Sequence, residues 1–278
     1  MSFYEKDPLF KGSDWVAPRL LPRKMLPLTR FSVTRAVMRR VLGPQGVYEW
    51  VIARTRYIDE ALRVACVEGF SQVVIFGAGF DSRGVRFAAE LKGKMLFELD
   101  APTTQRTKIA QFRARGVEIP QNVILVPVNF ERESFRQKLE QAGFTSGCRT
   151  FVVLEGVLQY LNPQAAEATL AAIHDMTGKG SRVVFDHAYG SVVRGEGSVY
   201  GQERMTRGVE GFGESWQFGL DDDDLGPFLR KVGLTVVDRR SPRELERMNF
   251  LDAKGRLRGR VNGTQGIVTA ERDQVAET

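Results

Sequence analysis

The residues best suited to chemistry stand at the ends of short apolar runs. Val73-Val74-Ile75-Phe76 leads into Gly77-Ala78-Gly79-Phe80-Asp81-Ser82-Arg83. A strand entering a Gly-x-Gly turn ahead of a helix lets ligand atoms approach the backbone, because glycine tolerates the φ values of the turn and has no side chain. The dinucleotide fingerprint asks for a third glycine three residues on; Ser82 holds that place, and Gly84 comes two later. A second run, Phe97-Glu98-Leu99-Asp100, ends about twenty residues after the glycines, where a carboxylate can accept both ribose hydroxyls of an adenosine. Ala101-Pro102 behind it equally suits the start of a helix. To this point NAD(H) and S-adenosylmethionine fit alike.

The fourth run separates them. Val152-Val153-Leu154 is followed directly by Glu155. A carboxylate at the mouth of a sheet can bind the α-ammonium group of a sulfonium amino acid. Arg54 lies on a preceding helix, on one face with Ile58, Ala61 and Ala65 by their spacing. An arginine on an apolar face is costly without a partner, and the α-carboxylate of the same ligand would be one. A nicotinamide cofactor leaves both residues without a task.

Four segments in order, Ala53-Arg54-Thr55-Arg56-Tyr57-Ile58-Asp59, Gly77 to Arg83, Phe97-Glu98-Leu99-Asp100-Ala101-Pro102 and Leu154-Glu155-Gly156-Val157-Leu158-Gln159-Tyr160-Leu161, resemble the leucine carboxyl methyltransferase family. That family includes protein phosphatase carboxyl methyltransferases and bacterial enzymes acting on small molecules. The resemblance implies a Rossmann-like class I methyltransferase with S-adenosylmethionine as methyl donor and S-adenosylhomocysteine as product. It implies Arg54 on the methionine carboxylate, Gly77 and Gly79 beneath the cofactor, Asp81 shaping the turn, Asp100 on the ribose and Glu155 at the methionine amino end. Where the family has an acid–apolar pair beside the adenine, this chain has Asn129-Phe130. The phosphatase branch follows that pair with an arginine for a terminal carboxylate; here Glu131 would repel one. The expected reaction is O-methylation of a small-molecule carboxylate or hydroxyl. A protein C-terminal carboxyl methyltransferase and an NAD(P)-dependent oxidoreductase are the alternatives. Tyr160 is a candidate for orienting the acceptor, and His187, just after the fifth run, is a candidate base and acceptor contact if the acceptor is a hydroxyl.

The elements that must position these residues follow one rhythm. Apolar runs at Val73–Phe76, Met95–Leu99, Val123–Val128, Phe151–Leu154 and Val183–Phe185 alternate with helical stretches near 82–92, 102–115, 131–142 and 163–178. That spacing predicts βαβ units, a mostly parallel sheet covered by helices on both faces, and all strand carboxyl ends on one edge. Residues 189–220, rich in glycine and aromatics, read as an irregular lid insertion in a single domain spanning 50–278. Asp221–Asp224 suits a helix start by its dipole rather than a metal cluster. Strands near Thr235–Val237 and Gly266–Ala270, with no clear helix between them, allow an antiparallel edge. Residues 1–49 read as a basic cap over the site, with a transit peptide as the other reading of their arginine-rich, acid-poor character.

Composition sets outer bounds. The chain has 278 residues, 42% hydrophobic and 27% charged, which is ordinary globular usage. Cys66 and Cys148 cannot make a disulfide framework or a structural zinc site. No run approaches a membrane span, no secretory h-region is visible, and a cytoplasmic setting is expected. A net charge of +6 permits an acidic partner. The basic segment lacks the aromatic interleaving that single-strand binding favours, which argues against nucleic acid.

Overall fold

The computed structural model describes residues 2–21, 29–31, 34, 45–211 and 215–273. The strands are β1 Gln72–Phe76, β2 Met95–Asp100, β3 Val123–Pro127, β4 Thr150–Leu154, β5 Arg182–Ala188, β6 Leu234–Arg240 and β7 Gln265–Arg272. They form one 7-stranded sheet in the order β3-β2-β1-β4-β5-β7-β6. All neighbours run parallel except β7, which is antiparallel to both β5 and β6. The helices are α1 Ala17–Leu20, α2 Val47–Val67, α3 Arg83–Arg86, α4 Pro102–Ala114, α5 Phe135–Gln141, α6 Pro163–Met176, α7 Gly190–Val193, α8 Gln202–Gly211, α9 Asp222–Lys231 and α10 Pro242–Asn249.

Strands β1 and β4 are buried along their whole length, as continuous apolar runs require when helices cover both faces. Their alternate side chains feed two cores. Val74, Phe76, Val152, Leu154 and Phe185 pack with Leu170 and Ile173 of α6 and Leu229 of α9. Val73, Ile75, Phe151, Val153 and Val184 pack with Ile58, Leu62 and Ala65 of α2. Helix starts follow local chemistry. Asn162 accepts from Ala165 N at 2.8 Å ahead of α6, Ser241 and Glu244 form a capping box on α10, and Asp222, Asp223 and Asp224 fill the first turn of α9. Among the described residues no cluster of acidic, histidine or cysteine side chains is arranged for a metal ion, and no helix is long and apolar enough to cross a membrane.

Several expectations change. The helix foreseen over 82–92 is only the single turn α3, after which the chain folds through turns to Leu91; Gly84 within it packs so close to β3 that a β-carbon would meet Val123 Cγ2 at 2.9 Å. The segment 189–220 is not wholly irregular; it holds α7 and α8. A helix, α10, does separate β6 from β7. The antiparallel strand is β7, but it lies inside the sheet and β6 forms the edge. Of the basic segment 1–49, residues 1, 22–28, 32–33 and 35–44 lie outside the described residues. Residues 2–21 rest on α2: Arg56 Nη2 donates to Pro8 O at 2.9 Å and to Lys11 O at 3.0 Å, and Ser13 Oγ donates to Asp59 Oδ2 at 3.0 Å.

Glu98 of β2 is buried and paired with Lys108 of α4, so it sits under a helix rather than at the sheet mouth. Burial pushes its carboxyl up to about 7 despite the pull of Lys108. A folded-state value above the unfolded one means that this group's contribution falls as pH rises through the interval between them. Lys108→Met is therefore expected to cost a constant amount below about pH 7 and about 1.4 kcal/mol more per pH unit above it, while the unpaired carboxyl resists ionisation. Urea unfolding at pH 6 and pH 8 checks this; equal losses at both would show that the pair is not what holds the charge.

Candidate active site

A chain of ion pairs, buried or partly buried, runs across the carboxyl edge of the sheet. Asp186, fully buried on β5, accepts from Arg54 Nη1 at 2.7 Å and from Gly156 N at 2.6 Å. Arg54 Nε lies 3.0 Å from Glu155 Oε1. Glu155 Oε2 accepts from Arg83 Nη1 at 2.7 Å. Arg83 Nε donates to Asp59 Oδ1 at 2.9 Å, and Arg86 holds both oxygens of Asp59 at 2.7 and 2.9 Å. Burial alone would raise the Glu155 carboxyl; Arg83 and Arg54 overcome it and hold the group at about 2. Glu155 is thus an anion at any physiological pH.

The glycine turn is set by two carboxylates. Asp100 Oδ2 accepts from Gly79 N at 2.5 Å and its Oδ1 from Ala101 N at 2.6 Å. Asp81 accepts from Arg83 N at 2.6 Å and Arg83 Nη1 at 2.5 Å. Gly77 and Gly79 take φ of 56° and 48°, values that favour glycine. Asn129 accepts from Glu131 N at 3.1 Å and its own N–H donates to Glu133 Oε2 at 2.8 Å, closing a turn just past β3. That turn presents Phe130, 47% exposed, with its ring 6.5 Å from Phe76 at the end of β1.

Beyond Glu155 the chain turns at Gly156 into a short 3₁₀ helix, Leu158–Tyr160. Gln159 O accepts from Gln217 N at 2.8 Å and Phe218 N at 3.3 Å, and Ala188 O accepts from Leu220 N at 2.9 Å. The 217–220 segment is thereby laid across the ends of β4 and β5. Tyr160 is half-buried, and its carbonyl accepts from Gln217 Nε2 at 3.4 Å. His187 is buried, its ring 5.7 Å from Tyr189 and its Nδ1 3.1 Å from Ala188 O. Burial lowers its pKa, so the ring stays neutral.

Arg54, Gly77, Gly79, Asp81, Asp100, Asn129, Phe130, Glu155 and Tyr160 therefore come from separate elements to one edge of the sheet, and His187 lies beneath that edge. Sequence reasoning missed Arg83, Asp59 and Asp186, which tie the edge together. One signal was present: Asp186 directly follows the apolar run Val183-Val184-Phe185, as Glu155 follows its own.

Residues 5–174 match the family model described as leucine carboxyl methyltransferase. The chain belongs to the leucine carboxyl methyltransferase family. The matched stretch contains the arginine helix, the glycine turn and both carboxylate-bearing strand ends. A relative from Bacillus subtilis (strain 168), "Putative S-adenosyl-L-methionine-dependent methyltransferase YktD", is 25% identical over 223 residues, 77% of this chain and 73% of its own length. A relative from Mycobacterium avium (strain 104) with the same descriptive name is 32% identical over 196 residues, 70% of this chain. The match spans 64% of that relative, just under two thirds of its length. Among solved structures, an O-methyltransferase family protein from Burkholderia thailandensis superposes with a TM-score of 0.52 at 10% identity, over 90% of this chain and 63% of the other. Likeness at that identity shows a shared Rossmann-like fold. The protein is a methyltransferase of the class that uses S-adenosylmethionine.

The residues present fit that cofactor. Arg54 Nε lies 3.0 Å from Glu155 Oε1 without the alignment of a hydrogen bond, so charge alone holds that pair, and the guanidinium stands at the strand ends where a ligand carboxylate would need a cation. Side-chain-free Gly77 and Gly79 line the turn, and Asp100 stands beside Gly79. Asp100→Ala removes a charge-assisted acceptor and the restraint on Gly79 together; it is expected to weaken S-adenosylmethionine binding by about 1–3 kcal/mol. Isothermal titration checks this, and unchanged affinity would take the ribose contact off this strand.

Proposed function

We propose that the protein methylates an oxygen atom of a small molecule. The observation that carries this reading is the 217–220 segment, fastened to the carbonyls of Gln159 and Ala188 beside Glu155. The acceptor side of the mouth is walled by the chain's own residues, which suits a small molecule better than a protein tail. Glu131 stands exposed at the place where a terminal carboxylate would need a cation. A cytoplasmic setting goes with this reading, Cys66 and Cys148 both being free thiols.

When bound, S-adenosylmethionine supplies a methyl group on a sulfonium leaving group. The chain's own work is alignment. Arg54, steadied by Asp186, takes the methionine carboxylate, and Glu155, kept ionised by two guanidinium groups, faces the ammonium. Gly77, Gly79 and Asp100 seat the nucleoside, with Asn129 and Phe130 beside the adenine. Tyr160 lies next to the acceptor. Among the described residues, Glu155 is committed to its arginines, and His187, though neutral and so able to accept a proton, is buried beneath the mouth, where burial weakens it as a base. A carboxylate or an acidic hydroxyl needs little help of that kind, whereas an amine acceptor would first have to lose a proton.

A thermal-shift series with S-adenosylmethionine, S-adenosylhomocysteine, NAD and NADP tests the cofactor half. A ligand at 100 times its dissociation constant adds about 2.7 kcal/mol of stability, about 2–4 °C per kcal/mol for a domain approaching this size. Methyl-labelled cofactor with an acceptor panel tests the other half. Label on oxygen, as base-labile ester or stable ether, supports the proposal; label only on nitrogen, carbon or an added protein overturns it.

A further inference from the structure

A cleft of about 400 Å³ lies on the face of the sheet that α2 covers, between α2 and α10. Phe151 of β4, Thr269 of β7 and Asp238 of β6 line it from the sheet. Val64 lines it from α2 and Met248 from α10. Cavities of about 300–1,000 Å³ are the size that holds a small molecule. Thr269 is paired with Val184, two residues before Asp186 on β5. The cleft is therefore set back from the carboxyl edge, and neither Arg54 nor Glu155 nor the glycine turn lines it.

The lining carries five charged side chains: Arg56, Glu60, Arg182, Asp238 and Arg240. Four of them are matched. Arg182 pairs with Glu68 and Glu271, Arg240 with Asp238, and Glu60 with Arg63. Asp238 also accepts from the Tyr57 hydroxyl at 2.9 Å. Arg56 differs. It donates to Asn249 Oδ1 at 3.3 Å and to the carbonyls of Pro8 and Lys11, which are all neutral. Among the described residues no carboxylate pairs with it. Burial pushes its pKa down, and no acidic neighbour raises it again. A partly desolvated cation without a counter-ion is costly, and an anion in the cleft would supply one.

The same lining narrows the anion. One positive charge is unmatched, so one negative charge balances it. A second would stand against Asp238 or Glu60. Val64, Val237 and Met248 leave apolar surface exposed around the cleft, which an apolar ligand body would remove from water.

We infer that the cleft between α2 and α10 is a second ligand site, taking a small monocarboxylate whose charge meets Arg56 and whose alkyl or aryl body lies against Val64, Phe151 and Met248. The site uses no residue of the methyl-transfer mouth, so it stands apart from the O-methylation reading.

The test uses the full chain saturated with S-adenosylhomocysteine, which fills the cofactor site. The probes are octanoate with octan-1-ol, 4-phenylbutyrate with 4-phenylbutan-1-ol, and the dicarboxylate suberate. Isothermal titration is expected to show at least one monocarboxylate binding one-to-one, tenfold or more tightly than its alcohol and than suberate. Arg56→Gln removes the charge but keeps an amide for the carbonyls of residues 8 and 11; it should bring the acid down to the affinity of its alcohol. Val64→Trp leaves Arg56 in place and fills the cleft from an exposed position on α2; it should abolish binding. Both variants should keep a cooperative melt and S-adenosylhomocysteine affinity within about twofold. No binding by either monocarboxylate, equal binding of acid and alcohol, or tighter binding of suberate would overturn the assignment. A preference for the acid that survives either variant would also overturn it, by placing the probe elsewhere, the mouth included. A dimer by sedimentation that takes up no probe would give the cleft to a second copy of the chain and overturn it as well.

Discussion

Arg83→Leu is expected to lower folding stability by about 3–5 kcal/mol, the usual scale for breaking a buried ion pair from one side. Arg83 is 3% exposed and is the shared partner of Asp59, Asp81 and Glu155. Removing it leaves Asp81 without its guanidinium and Glu155 with Arg54 alone. Denaturant unfolding at pH 7 reads the loss directly, and a loss under about 1 kcal/mol would mean that the cluster behaves as a surface network does. The same residue sets an acid limb. The Glu155 carboxyl lies at about 2 when folded against an ordinary 4.5. A group depressed in the folded state adds stability above its unfolded value and loses it as pH falls toward the folded one, here about 3 kcal/mol between pH 5 and 2. In Arg83→Leu that limb should flatten, which a purely steric defect would not produce.

Arg54→Ala carries the largest expected effect on ligand binding. Loss of a charge-assisted contact to the cofactor carboxylate costs about 1.5–3 kcal/mol, and the variant also leaves the fully buried Asp186 without its cation. Together these should weaken S-adenosylhomocysteine binding about a hundredfold or more. Arg54→Lys should recover charge but not geometry, since Lys lacks the planar fork that spans Asp186 and a ligand carboxylate. Asp186→Asn separates the roles: it keeps the acceptor for Gly156 N but removes the charge that orients Arg54. Titration of all three with S-adenosylhomocysteine, and with adenosine as a ligand lacking the amino-acid end, checks the assignment. Equal losses for both ligands would show a collapsed site rather than a lost carboxylate contact.

The alternation of short apolar runs with helices was enough to locate the sheet and the edge where function gathers, because buried parallel strands leave a plain signature in sequence. The candidate site residues stood out for a similar reason: a glycine pair after a strand, and carboxylates directly behind apolar runs, are locally out of place. Arg83 and Asp59 were not legible as partners. They lie on separate elements, and nothing in the spacing of α2 and α3 states that their ends meet. The inward place of β7 was hidden too, since strand order across an antiparallel insertion depends on long-range pairing rather than local pattern.

The position of β7 has a kinetic side. This strand, Gln265–Arg272, pairs with β5 on one side and β6 on the other, and Ile267 lies opposite Asp186. During synthesis β5 is complete long before its partner exists. Its open edge includes Asp186, the anchor of Arg54 and of the Gly156 turn, so the ligand site cannot be rigid until the chain has passed residue 272. Pairing across so long a loop is slow, and an unpaired strand edge invites misassociation. The final step of refolding should therefore coincide with the gain of cofactor affinity, with a core on the β1–β4 side already formed by then.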